Sequence, residues 1–179
     1  MTRKFFAALM VAAVLMTGCG DESAESNESV TNEQASPVAA KVPAFSAKTV
    51  DGETVTQEIF AEKKITMVNI WGTFCPPCIG EMPELGEMAR SLPDDAQIIG
   101  LVCDATDGSP EIQKAREILS KADADFVNII PNAELLKFME GVEVVPTTIF
   151  VNSRGEVVGK TILGADIKGY HAQLEQLLK

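Results

Sequence analysis

The chain has 179 residues, 46% hydrophobic and 23% charged, which suffices for one domain with a core and excludes a fibrous or wholly disordered protein. Its formal charge is −11, from 26 acidic against 15 basic side chains. A polyanion of that size repels phosphate backbones and anionic membrane surfaces, so nucleic-acid binding is excluded as a leading function.

At the N-terminus, Arg3 and Lys4 precede an apolar run over residues 5–16, which is 12 residues long. A membrane-spanning helix needs roughly 20, so residues 1–18 read as an export signal. Its removal leaves 26 acids against 13 bases, or −13. The signal ends in Leu15-Met16-Thr17-Gly18-Cys19, small residues directly before a cysteine. This resembles the bacterial lipoprotein cleavage box, although Met16 stands where the box usually has Leu. The resemblance implies that Cys19 becomes the lipidated first residue of the mature chain, with two acyl chains for stable anchoring. The alternative is ordinary signal cleavage with Cys19 a bystander. Residues 19–41 are then predicted to be a disordered acidic tether, because Asp21 to Ser29 has almost no large apolar group to offset its ordering entropy. A dedicated acidic arm is the other reading.

Residues 42–179 read as one globular domain. Asp51-Gly52 separates segments 45–50 and 53–56 as a hairpin signal. The β-branched run 65–71 predicts a buried strand, followed by a helix over 75–91 that tolerates Pro76 and Pro77 in its first turn. A second buried strand is expected at 98–103, a helix at 110–121 and a short strand at 126–130. Strands at 147–152 and 156–162 join through Ser153-Arg154-Gly155, and Asp166 caps a terminal helix with the stripe Ile167, Tyr170, Leu174 and Leu177. The order βαβ, then α-β, then ββα implies an α/β fold with a mixed sheet flanked by helices.

Chemistry concentrates in Trp71-Gly72-Thr73-Phe74-Cys75-Pro76-Pro77-Cys78, with Glu81 and Pro83 after it. A Cys-x-x-Cys at a strand-to-helix junction brings both sulfurs within disulfide reach. The first thiol stands at the helix N-terminus, where free N–H groups and the dipole favour thiolate. Cys75 is therefore expected to attack and Cys78, one turn in, to resolve a mixed disulfide. Glu81, three residues after Cys78, shares its helical face and is placed to exchange the Cys78 proton; a solvated surface glutamate is the alternative. Trp71 either packs beside the sulfurs or contacts substrate.

This run resembles the TlpA/ResA-type thioredoxin-like proteins, exported and membrane-tethered thiol–disulfide oxidoreductases. The resemblance covers roughly residues 42–179, including the α-β excursion that distinguishes this branch from plain thioredoxin. It implies a thioredoxin-like fold with an N-terminal β-hairpin. Val144-Val145-Pro146-Thr147-Thr148-Ile149-Phe150 matches the second signature of that family, implying a cis Val145–Pro146 bond facing the cysteines; a merely loop-breaking proline is the alternative. Backbone at Val145 would pair with an extended substrate segment, beside Trp71, Pro76 and Pro146. The implied clients are exported disulfide-bearing proteins such as apocytochrome c, and the implied electron source is a membrane thiol carrier of the CcdA/DsbD type. Neither an organic cofactor nor a metal is needed.

Other readings stay open. The same motif permits a disulfide-forming oxidant or a Cu(I) metallochaperone holding metal between Cys75 and Cys78. Structural zinc wants four ligands, and only Cys103 and His171 remain as thiol or imidazole candidates. The surroundings of a thiol peroxidase are not recognisable. Cys103 departs from the family pattern and is open between a buried inert thiol, a third redox thiol and a soft-metal ligand.

Overall fold

A computed structural model describes residues 36–179 of the chain. The expected export signal, Cys19 and the tether up to residue 35 lie outside the described residues.

The strand β1 (Ser46–Thr49) pairs antiparallel with β2 (Thr54–Thr56) across Asp51-Gly52, where Gly52 supplies the positive φ of 90° that the turn requires. Next comes β3 (Ile65–Trp71), buried at every residue. The helix α1 (Pro76–Ser91) follows, with Cys75 as its N-cap and Pro83 inside it. It leads into β4 (Ala96–Val102), α2 (Pro110–Lys121) and β5 (Asn128–Ile130). A short α3 (Ala133–Phe138) precedes β6 (Thr147–Asn152) and β7 (Val157–Leu163), and α4 (Ile167–Leu178) closes the chain. The Asp166 carboxylate caps α4 by accepting from Gly169 N–H at 3.0 Å, as its sequence position predicts.

These strands form one seven-stranded mixed sheet in the order β2-β1-β5-β4-β3-β6-β7. β3, β4 and β5 run parallel, while β6 lies antiparallel to β3. Alternation along β3 divides the core. Met67 and Trp71 pack on one face with Met82 and Leu85 of α1, Leu119 of α2 and Tyr170 and Leu174 of α4. Val68 and Ile70 pack on the other with Phe60, Leu135 and Phe138. All three long helices therefore share one face. A 3-10 helix (Gln57–Glu62) and α3 cover the other, and the sequence reading anticipated neither. Each is six residues long, too short for a helical period to emerge.

The domain also begins earlier than residue 42. Val38 is buried, Val42 N–H donates to Gly155 O, and Val157 N–H to Ala40 O. Residues 36–41, expected as tether, are thus held by apolar burial and by backbone pairing at the β6–β7 turn. The β5 expectation also contracts, from 126 to Asn128. There the Asn128 side chain turns back to donate from Nδ2 to Phe126 O at 2.8 Å.

Candidate active site

Parallel strands place their carboxyl ends at one edge of the sheet, and the informative residues converge there. The chain leaves β3 at Trp71 and enters α1 at Cys75. Between them the Asp104 carboxylate, just past β4, accepts from Thr73 N–H at 3.0 and 3.1 Å and from Thr73 Oγ1 at 2.7 Å. Fixing this loop from both hydrogen donors of one threonine sets where Cys75 stands. Cys75 and Cys78 are joined as a disulfide with Cα atoms 5.3 Å apart. Cys78 N–H, at the helix start, donates to Cys75 Sγ at 3.2 Å. On reduction that N–H and the dipole of α1 favour negative charge on Cys75. Both sulfurs are buried in this oxidised state, Cys78 fully and Cys75 to 4% exposure.

The loop before β6 faces this pair. Its Val145–Pro146 bond is cis. Thr147 Oγ1 donates to Val144 O at 2.7 Å and Gly164 N–H donates to Pro146 O at 2.8 Å. Val145 O lies 3.4 Å from Cys75 Sγ, where a reduced thiol has a hydrogen to give. Phe74, Ile79 and Val144 are large exposed apolar residues, 64%, 36% and 52% exposed, and flank Cys75, Cys78 and Val145 in the chain. Pro76 is exposed as well. Trp71 corrects one expectation: it is fully buried and donates from Nε1 to Asn128 Oδ1 at 2.9 Å, so it packs behind the site and is not a substrate contact. A methyl on Gly100 would overlap Asn128 Oδ1, which is why glycine stands opposite this pair.

Glu81 is not a surface glutamate. It is 3% exposed; Asn69 Nδ2 donates to its Oε1 at 2.8 Å and the Tyr170 hydroxyl to its Oε2 at 3.0 Å. Among the described residues no cation pairs with it. Burial holds its carboxyl above the ordinary glutamate range, partly opposed by those two donors and reinforced by Glu84. Asn69 also donates to Thr148 Oγ1 at 3.1 Å. Sequence reasoning missed Asn69 and Thr148 and took Tyr170, the only tyrosine, for core. A detectable signal existed: a lone Asn within the buried run Ile-Thr-Met-Val-Asn-Ile-Trp must find a polar partner.

Cys103 sits half-buried after β4, its N–H donating to Trp71 O. Burial, then the Asp104 charge, push its thiol up to about 11, so it stays protonated at neutral pH. His171 is exposed on α4 beside Ser91 and Leu92, at the end of α1 away from Cys75.

The Redoxin family model matches residues 37–178. The chain belongs to the Redoxin family. It is 29% identical over 153 residues to the thiol-disulfide oxidoreductase ResA of Bacillus thuringiensis subsp. konkukian, covering 83% of this chain and 81% of that one. It is 30% identical over 126 residues to the sporulation thiol-disulfide oxidoreductase A of Bacillus subtilis, covering 69% and 73%. Among solved structures it resembles the exposed lipoprotein thioredoxin of Streptococcus pneumoniae, with TM-score 0.61 and 23% identity over 75% of this chain and 99% of that one. This Redoxin chain thus has the thioredoxin-like fold and is a thiol–disulfide oxidoreductase of the ResA type with a Cys-x-x-Cys pair. Its substrates carry disulfides.

Proposed function

We propose that this oxidoreductase works outside the cytoplasm, anchored by a lipid on Cys19, and reduces disulfides in exported clients such as apocytochrome c. The observation that carries the reading is the capped and buried Cys75–Cys78 pair with Glu81 one turn beyond Cys78. Reduced Cys75 attacks a client disulfide and forms a mixed disulfide, releasing one client thiol. Cys78 then attacks Cys75, closing the enzyme disulfide and releasing the second client thiol. Two electrons and two protons pass to the client, and a membrane thiol carrier of the CcdA/DsbD type restores the dithiol. Ionised Glu81 takes the Cys78 proton as that sulfur attacks and gives it up to the departing client sulfur, so that both client thiols leave protonated. The apolar rim of Phe74, Ile79 and Val144, with Pro76 and Pro146, receives the client segment, whose backbone pairs at Val145.

Among the described residues no helix is long and apolar enough to cross a membrane; on this reading a lipid on Cys19 provides the attachment. One experiment addresses client and anchor together. In cells producing the full chain with Cys78→Ser, mixed disulfides through Cys75 should accumulate in the membrane fraction, and adding Cys19→Ser should move them to the soluble fraction. Absence of client adducts contradicts the function. Adducts that stay on the membrane without Cys19 contradict the anchor.

A further inference from the structure

The Tyr170 hydroxyl has one hydrogen and two acceptors, Glu81 Oε2 and Gly164 O, each at 3.0 Å. Gly164 is also the residue whose N–H holds the Pro146 carbonyl at 2.8 Å. We propose that Tyr170 is a positioning residue whose hydroxyl reverses direction with the charge on Glu81, so that the proton state of the helix is felt at the loop that presents substrate.

The hydrogens available to this network decide the direction. With Glu81 ionised, the carboxylate outcompetes a neutral carbonyl for the tyrosine hydrogen, because charge-assisted bonds are roughly twice as strong. Gly164 O then loses that donor. With Glu81 protonated at Oε2, the acid donates to Tyr170 Oη, and the tyrosine hydrogen is free for Gly164 O. The two Asn69 amide hydrogens are placed the same way in both states, on Glu81 Oε1 and Thr148 Oγ1. The proton therefore sits on Oε2, the oxygen facing Tyr170. The network as built is short of hydrogens: Asn69 Oδ1 has no donor among the described residues. One added proton on Glu81 relieves the shortage at Gly164. No proton need leave the network, and no electron moves.

Few groups compete for this role. Tyr170 from α4, Glu84 from α1 and, once the disulfide is reduced, the Cys78 thiol of α1 are the titratable groups that act on Glu81, while β3 and β6 contribute only Asn69 and Thr148, which do not titrate. Tyr170 itself is held protonated, its hydroxyl pushed up to about 12 by burial, so it passes direction and does not give up its hydrogen. Glu81 faces the Cys78 side of α1, and Gly164 joins β7 to α4 and grips the Val145–Pro146 loop. Loss of the Cys78 proton and the grip on substrate are linked through one tyrosine.

This inference rests on Glu81 exchanging the Cys78 proton, and the test separates the two. In the isotope-labelled protein, the carboxyl carbon of Glu81 and the carbonyl carbon of Gly164 are followed by NMR across pH. In the wild type both should titrate with one midpoint. In Tyr170→Phe, which keeps the ring, the Glu81 midpoint should move to higher pH as the carboxylate loses a donor. The Gly164 carbonyl should lose its titration altogether. A Gly164 carbonyl that still follows Glu81 in Tyr170→Phe overturns the proposal. So does a wild-type Gly164 that stays flat while Glu81 titrates, an arm that stands even if the variant does not fold. Failure of the underlying reading shows elsewhere, as a Glu81→Gln variant whose thiol-exchange pH profile matches the wild type.

Discussion

Cys75→Ser is expected to bring insulin-disulfide reduction down to the uncatalysed background, a loss of at least about 10³-fold, the scale seen when a covalent nucleophile is removed. The reason is local. Cys75 is the sulfur at the helix start that receives the Cys78 N–H at 3.2 Å, and it faces the Val145 carbonyl. A serine hydroxyl at the same place has no accessible anion and cannot form the mixed disulfide. The fold should be retained, since serine is close in volume and the disulfide joins residues only three positions apart, for which the entropic gain is small. Turnover undiminished in this variant contradicts the whole assignment.

Glu81→Gln should act in opposite directions on rate and on stability. Removing a positioned acid–base group typically costs about 10²–10⁴ in the step it serves, so exchange at neutral pH should fall by about 10²-fold and lose its dependence on the Glu81 ionisation. Stability should rise. The folded carboxyl is held above its unfolded value by burial, so the native state binds its proton more tightly than the unfolded chain does. Ionising it therefore destabilises the wild type as pH rises from the ordinary glutamate range to the folded value. Over that window the gap in favour of Gln should widen by up to about 1.4 kcal/mol per pH unit. It should then hold constant above the window and vanish below it. Urea melts across pH read this directly. Loss of activity with gain of stability marks a group kept for function, whereas a loss of both would make Glu81 a structural residue.

Much of this architecture is legible in the sequence for identifiable reasons. β3 and β6 carry β-branched and apolar runs, broken within β3 only by Asn69, and α1, α2 and α4 carry caps or N-terminal prolines. The 3-10 helix and α3 are not legible because six residues hold at most two helical turns. They are helical because tertiary contacts of Phe60, Leu135 and Phe138 with the sheet hold them. Residues 36–41 read as polar linker because Val38 is a single apolar anchor among small residues. The backbone partners that hold the segment, Gly155 and Val157, lie more than a hundred positions away. The cysteines and Pro146 announce themselves as local patterns. The setting of Glu81 does not, because Asn69, Thr148 and Tyr170 come from three elements and meet only when β3, β6 and α4 pack. Periodicity assigns Tyr170 to the core stripe correctly, yet it is silent on where the hydroxyl points.

On the proposed function the Cys75–Cys78 pair gives electrons to its clients, and its reduction potential tests this most directly. Trp71, the only tryptophan, lies in the same buried cluster as both sulfurs, so its fluorescence should report the dithiol–disulfide equilibrium against glutathione or dithiothreitol buffers. A potential near about −250 mV or lower, in the thioredoxin range, is the predicted result. A potential near about −120 mV, the range of strong disulfide-forming oxidants, would contradict the account and reverse the direction of the reaction.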